Sequence, residues 1–251
     1  MPVRWGGVHP IAYEQAAIGN TFQKLDSLIS QHQKKHDQLS NIKKAMLEKM
    51  FPKQGETTPE VRFKGFSGEW VEVRLNDMVT CFSGGTPLVG VEEYYKGNIP
   101  FIRSAEINKS STELSISESG LKNSSAKIVE VGTVLYALYG ATSGEVGRAR
   151  LNGAINQAIL AIIPSTKMCP EFLLHWLRKS KNSIVSTYLQ GGQGNLSGDI
   201  VKNLVLKSPK FEEQTAIGNY FQKLDTLISQ HKQQITKLNN IKQACLSKMF
   251  I

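Results

Sequence analysis

The chain is poor in the groups that most site chemistry requires. Three cysteines occur in 251 residues: Cys81, Cys169 and Cys245, odd in number and far apart. That excludes a disulfide framework or a zinc site of closely spaced ligand pairs, and reduced thiols are expected. No run of eighteen apolar residues exists, so no membrane span is expected. The first residues lack the apolar core of a secretory signal, and a cytoplasmic location is expected. The segment GATSGEVG lacks the Gly-Lys-Ser/Thr that sets a lysine on phosphates, which rejects a phosphate loop. There is no glycine-rich dinucleotide turn in a βαβ context, no GxSxG, no NPPY and no nuclease-like carboxylate cluster. His32 and His36 stand four apart on a predicted helix, but the Gln33, Lys34 and Lys35 between them supply no glutamate for a zinc protease. No catalytic residue, no metal ligand and no cofactor are expected on this chain.

What the chain does have is the same helical phrase at both ends. Residues 14–51 read EQAAIGNTFQKLDSLISQHQKKHDQLSNIKKAMLEKMF, and residues 213–250 read EQTAIGNYFQKLDTLISQHKQQITKLNNIKQACLSKMF. About two thirds of the aligned positions are identical, without a gap, at a constant offset of 199 residues. A repeat of this kind governs the architecture and has to be read first. In both copies apolar residues alternate at steps of three and four: Ile18, Phe22, Leu25, Ile29, His32, His36, Leu39, Met46, Met50, and Ile217, Phe221, Leu224, Ile228, His231, Ile235, Leu238, Cys245, Met249. These are the a and d positions of a heptad, sustained long enough to predict a coiled coil. At about 1.5 Å per residue each helix spans roughly 55 Å. Leu28, Ile42, Leu227 and Ile241 fall at g, and Leu47 and Leu246 at e, a stripe wider than a two-stranded seam needs; further helices are expected to pack there. Lys43 and Lys242 occupy a positions, where lysine sacrifices stability and fixes register. A plain antiparallel hairpin that only stabilises its own domain stays open as an alternative.

The formal net charge is +9, which suits a polyanionic partner without identifying one. Residues 52–210 hold 18 basic and 14 acidic residues, so much of the excess lies on the flanks. After Phe51 the helical phrase stops at a turn-rich stretch, PKQGETTPEVRFKGFSGEW, which reads as a linker. Short β-branched segments bounded by turn formers follow: Val71–Leu75, Val79–Phe82, Ile99–Arg103, Lys127–Val131, Thr133–Leu138, Gly147–Leu151, Ile159–Ile163 and Val201–Leu206. One helix is expected from Pro170 to about Gln190. The fold class predicted is α+β: one twisted mixed-sheet domain flanked by two long antiparallel coiled-coil helices. The expected divisions are an irregular arm over 1–12, a first spacer helix over 13–51, a central domain over 52–210 and a second helix over 211–251.

Four loops of the central domain carry an unusual load of small polar residues: Ser83–Pro87, Arg103–Ser111, Tyr139–Gly144 and Gly191–Gly198. Such side chains bond phosphates and base edges alike, and glycine permits close backbone approach. The candidate DNA contacts are Gly85, Thr86, Arg103, Ser104, Thr142, Ser143, Arg148, Gln193, Asn195 and Lys202, with Arg150 as a further cation. Ordinary surface turns are the competing reading of each loop. The candidate partner interface comprises Phe22, Leu28, Ile29, Ile42, Phe221, Leu227, Ile228, Ile235 and Ile241.

Several ordered blocks carry a family resemblance: GEWVEVRLNDMVTCFSGGTP followed by EEYYKGNIPFIRSAEI, then VLYALYGATSGEVGRARLNGAINQAILAIIP, then GGQGNLSGDIVKNLVLKSPKFEEQTAIGNYFQKLDTLI. From about Tyr13 onward the chain resembles the specificity subunit of Type I restriction-modification systems. That resemblance implies a target recognition domain over 52–210 that reads one half of a bipartite DNA site. It implies two conserved helices that dock the methyltransferase (modification) subunit, with a restriction subunit as a further partner. S-adenosylmethionine, ATP and Mg are implied only on those partners. A complete subunit of the family has two recognition domains, and this chain has one between its two helices. A homodimer is therefore expected to restore the second. The alternative is a truncated decoy that occupies the modification subunit without reading DNA.

Overall fold

The computed structural model describes residues 10–189 and 195–249; Gln193 and residues 1–9 of the arm expected over 1–12 lie outside the described residues, while residues 10–12 belong to the first helix and not to an irregular arm. Two units divide the chain, one comprising residues 46–221 and the other residues 1–45 with 222–251.

The second unit is a helical hairpin. Helix α1 covers Pro10–Lys49 and helix α6 covers Phe211–Met249. Burial along α1 falls at residues 18, 22, 25, 29, 32, 36, 39, 43 and 46, and along α6 at 224, 228, 231, 235, 238, 242 and 245. That unbroken alternation of four and three is the seam the heptad reading predicts. Three polar pairs fix its direction and register. Lys43 pairs with Asp225, His32 Nδ1 lies 2.9 Å from His231 Nδ1, and Lys242 Nζ lies 2.5 Å from Asp26 Oδ1. Partner numbers fall as α1 numbers rise, so the helices are antiparallel. Shifting Lys43–Asp225 by the 199-residue offset returns Lys242–Asp26. His32 and His231 are each other's equivalents under that shift, so a local two-fold axis passes between them.

Among the described residues the first unit has ten strands: β1 (Val71–Arg74), β2 (Val79–Ser83), β3 (Ile99–Ile102), β4 (Leu114–Ile116), β5 (Lys127–Val129), β6 (Val134–Ala137), β7 (Val146–Arg148), β8 (Gly153–Ile155), β9 (Ile159–Pro164) and β10 (Val205–Ser208). Short helices α2 (Leu75–Met78), α3 (Glu118–Lys122) and α5 (Gly198–Lys202) and the longer α4 (Pro170–Tyr188) complete it. The strands form three sheets: β2-β9-β6-β7, wholly antiparallel; β4-β3-β8-β5, mixed through the parallel β3–β8 pair; and the β1–β10 ribbon. The two four-stranded sheets share a core of Ile102, Ile155 and Val129 from one and Leu135, Ala137, Ile159 and Ala161 from the other. Val134 and Tyr136 on the opposite face of β6 are buried as well. A strand covered on both faces reads as a continuous apolar run, and burial of the Tyr136 phenol pushes its pKa up to about 12.

Helix α4 starts where expected, with Pro170 at its first position and Glu171 in the first turn. The stretch after Phe51 contains no strand, but it is pinned. Trp70 and Phe51 are buried, and an aromatic cluster joins Phe51, Trp70, Phe172 and Phe221 with ring centroids 5.3 to 6.2 Å apart. The strand expected over 201–206 begins only at Val205; Ser197 caps a helical turn before it, its Oγ accepting from Ile200 N at 3.1 Å. Strands β4 and β8 were not foreseen.

Candidate nucleic-acid interface

Sheet register brings the polar loops to one place. Ser83 stands opposite Leu160, Ala137 opposite Ile159 and Tyr136 opposite Val146. The segments that follow β2 and β6 therefore leave the same end of the antiparallel sheet, and β9 enters it there. In the mixed sheet Ile102 and Lys127 both stand level with Ile155. The residues after β3, those before β5 and those after β8 thus lie together at one end. The two ends meet at the connection 156–158 between β8 and β9.

Hydrogen bonds tie the loops to that connection. Thr86 Oγ1 donates to Gln157 Oε1 at 2.6 Å, and Leu138 N donates to Ala158 O at 2.8 Å. Tyr139 bridges Asn195, and Leu196 N donates to Leu138 O at 2.8 Å. Thr142 Oγ1 donates to Tyr139 O at 3.3 Å and Ser143 Oγ to Leu138 O at 3.1 Å. Gly84 is obligatory here: a Cβ at that position would overlap the Ile155 carbonyl, so only glycine lets the loop after β2 lie against the mixed sheet. Tyr95 Oη, donating to Pro87 O at 2.6 Å, holds the far side of the same loop.

The expected contacts divide on this frame. Gly85, Thr86, Arg103, Ser104, Thr142, Ser143 and Asn195 converge. Thr86 and Asn195 are exposed, while Gly85 and Ser143 are buried and shape the loops instead. Arg103 is at the convergence but already engaged: its guanidinium bonds Glu106 (3.3 Å) and pairs with Glu113. Glu106 is buried. Burial alone would raise its pKa, but the Arg103 side chain and the amides of Glu113 and Arg103 bring it net below the usual carboxylate value. Arg148 is elsewhere. It sits opposite Val134 at the other end of β6, where its Nη1 donates to Gly132 O at 2.6 Å and its Nη2 lies 2.8 Å from Glu171 Oε1. Lys202, on α5, pairs with Asp199 and lies near enough to Cys81 for its charge to oppose the effect of burial, which still pushes that thiol up to about 11. Two exposed residues of the cluster were missed: Gln157, the partner of Thr86, and Lys127, level with Ile155. The signal for Gln157 was available, as Asn156–Gln157 is a polar break in an otherwise apolar run.

Of the expected interface residues, Leu28, Ile42, Leu227 and Ile241 are exposed at 41–44 % on the outside of the hairpin. Phe22, Ile29, Ile228 and Ile235 lie in the seam. Phe221 is fully buried against Phe51 and His175 in the first unit. Among the described residues no group of three His, Cys, Asp or Glu side chains is placed to hold a metal ion, and no helix is long and apolar enough to cross a membrane.

Residues 67–240, well over half of the chain, match the family described as the Type I restriction modification DNA specificity domain. The chain belongs to that family. Among its Type I relatives is the MjaIX specificity subunit of Methanocaldococcus jannaschii, 29 % identical over 194 residues, which are 73 % of this chain and 44 % of the relative. The MjaVIII specificity subunit of the same organism is 24 % identical over 198 residues, 76 % of this chain and 45 % of the relative. This specificity-family chain thus spans about half the length of the curated relatives it matches. The fold agrees: the HsdS subunit of Thermoanaerobacter tengcongensis superposes with a TM-score of 0.62 at 19 % identity, covering 94 % of this chain and 56 % of that one. The Type I S subunit of M. genitalium gives 0.58 at 17 %, covering 97 % and 60 %. Both of these curated relatives are specificity subunits.

Proposed function

We propose that the loop cluster at the joined ends of the two sheets reads one half of a bipartite DNA site, on behalf of a methyltransferase subunit that docks on the helical hairpin. The observation that carries this reading is the convergence itself. Polar segments from residues 84–87, 103–104, 139–143, 156–158 and 195–197 meet on one rigid sheet frame, bonded to one another. Exposed Thr86, Gln157 and Asn195 supply donors and acceptors for base edges, and Lys127 and Arg103 supply charge for phosphates. Ser104 adds a hydroxyl at the same end. The docking surface rests on the exposed apolar row Leu28, Ile42, Leu227 and Ile241, which a helical hairpin does not need for itself. The same row supports the homodimer, to be tested by solution mass. S-adenosylmethionine, ATP and Mg belong to the partners: the chain alone, incubated with them and DNA, yields no product.

The test is selection from a random pool of double-stranded oligonucleotides by the full chain, alone and with a Type I modification subunit. A short enriched half-site, relaxed at one or two positions by Thr86→Ala with Gln157→Ala, is the expected result. A complex that enriches no sequence while the subunits remain bound would overturn the reading in favour of the decoy.

A further inference from the structure

Arg103 and two glutamates form one network in the connection from β3 to β4. Phe101 stands opposite Leu114, so the chain leaving β3 and the chain entering β4 lie side by side. Arg103 is the first residue past one strand and Glu113 the last before the other. The connection is firmly seated. Ile107 is buried in the joint core of the two sheets, and a Cβ at Gly147 of β7 would stand 2.2 Å from Asn108 Oδ1. Near the other stem Thr112 Oγ1 donates to Leu114 O at 2.8 Å. Glu106 joins the two stems. Its buried carboxylate accepts from Arg103 N at 3.1 Å and Arg103 Nε at 3.3 Å through Oε2, and from Arg103 Nη2 at 3.3 Å and Glu113 N at 2.9 Å through Oε1. It therefore fixes both the guanidinium and the backbone of Glu113.

A guanidinium presents its N–H groups as a planar fork. Glu106 holds the edge made by Nε and Nη2. The outer edge, made by Nη1 and Nη2, is covered by Glu113 at Nη2, and Nη1 makes no hydrogen bond among the described residues. The two carboxylates are unequal. Taking Arg103 from Glu106 would strand a charge away from water. The Glu113 side chain is 70 % exposed, and releasing it returns it at little cost to solvent it already faces. The outer edge is thus the part that opens. Charge decides what can enter. Because its backbone is tied to Glu106, the Glu113 carboxylate stays near the guanidinium after letting go. A phosphate on the outer edge would then lie beside a like charge. The O6 and N7 of guanine offer a bidentate pair of acceptors without net charge.

We propose that Arg103, Glu106 and Glu113 form a guanine filter: Glu106 aims the guanidinium, and Glu113 yields its outer edge to a guanine while turning phosphates away. The filter rests on the reading of DNA by the loop cluster. Within it Glu106 is a positioning residue, acting through Arg103. Glu113 determines specificity by what it refuses, since a bare arginine at this place would take any phosphate of any sequence.

The half-site selected by the full chain with a Type I modification subunit supplies the probe. Each of its guanines in turn is replaced by 7-deazaguanine, which lacks N7, and affinity is read by fluorescence anisotropy. At one guanine the replacement is expected to weaken the wild type by about five- to tenfold and to leave Arg103→Ala unaffected. Glu106→Gln is expected to lose the same N7 dependence, an effect that a purely structural role would not single out. Glu113→Gln, a change at an exposed side chain that leaves folding intact, is expected to bind random duplex about two- to fivefold more tightly. Its affinity for the half-site should change little, so specificity falls. A half-site at which no guanine N7 depends on Arg103 overturns the filter and leaves the reading of DNA standing. So does a Glu113→Gln variant whose affinities for half-site and random duplex move together or not at all. A complex that selects no sequence overturns the reading of DNA and the filter with it, so the two failures are told apart.

Discussion

The hairpin and the sheet unit are held by opposite means. Along the hairpin seam one pattern repeats, and polar residues interrupt it at Lys43, His32, His231 and Lys242, where they surrender packing to fix which heptad faces which. In the sheet unit polar burial is deeper. Glu106, Glu213 and Gln214 are each enclosed and each bonded to groups distant in sequence or to backbone amides. A helix pair needs help choosing one register among many similar ones. A sheet unit of short strands has few alternatives and uses its polar groups to aim loops and join elements.

The comparison breaks or sharpens first at the repeated phenylalanine. Phe221→Ala, fully buried in the sheet unit, is expected to cost about 3–5 kcal/mol, against about 1–2 kcal/mol for Phe22→Ala, which is half-buried in the seam. Chemical denaturation of the two variants measures this, and equal losses would make the units alike. Next in size is Arg103→Ala. It leaves the buried Glu106 carboxylate to two amides and is expected to cost about 1–3 kcal/mol of stability. If Arg103 also reaches a base, specific DNA affinity falls by a further 1–3 kcal/mol or so with little change on random DNA; an equal loss on all sequences makes it a phosphate contact. Lys43→Ala and Lys242→Ala should each cost only about 0.5–1 kcal/mol, as partly exposed ion pairs do. The swap of Lys43→Asp with Asp225→Lys should recover that loss, and failure to recover it would deny the pair a role in register.

The smallest expected effect is that of pH. His231 is held below the usual histidine value, first by burial and then by the charges of His32, Lys35 and His36. Its contribution is therefore complete above the unfolded value of about 6.5 and is lost as pH falls through the lowered folded value. Melting of the full chain between pH 7.5 and 5 should show a steeper fall than that of His32→Leu with His231→Leu. Parallel curves would remove the histidine pair from the account.

The hairpin was legible because its information is local: heptad spacing, the lysines at a positions and the exposed g-position leucines and isoleucines all appear in the sequence order itself. Seven of the eight expected strands and α4 were legible for the same reason. Strands β4 and β8, three residues each, have no periodicity to read. Ile200 and Val201 look like strand residues but belong to a capped turn. The loops were found by composition, yet their convergence depends on register between strands far apart in the chain, as does the removal of Arg148 to the other end of the sheet. Composition identifies what a loop can do, and pairing decides which loops do it together.

The two-fold relation between Lys43–Asp225 and Asp26–Lys242 also limits how such a hairpin can change length. Seven residues inserted into α1 between His32 and Lys43 carry Lys43 about 10 Å past Asp225. Only a matching insertion in the facing stretch of α6, between Asp225 and His231, brings them together again. Growth or shortening therefore proceeds in whole heptads taken by both helices at once. The hairpin is a ruler whose graduations are set by its own ion pairs.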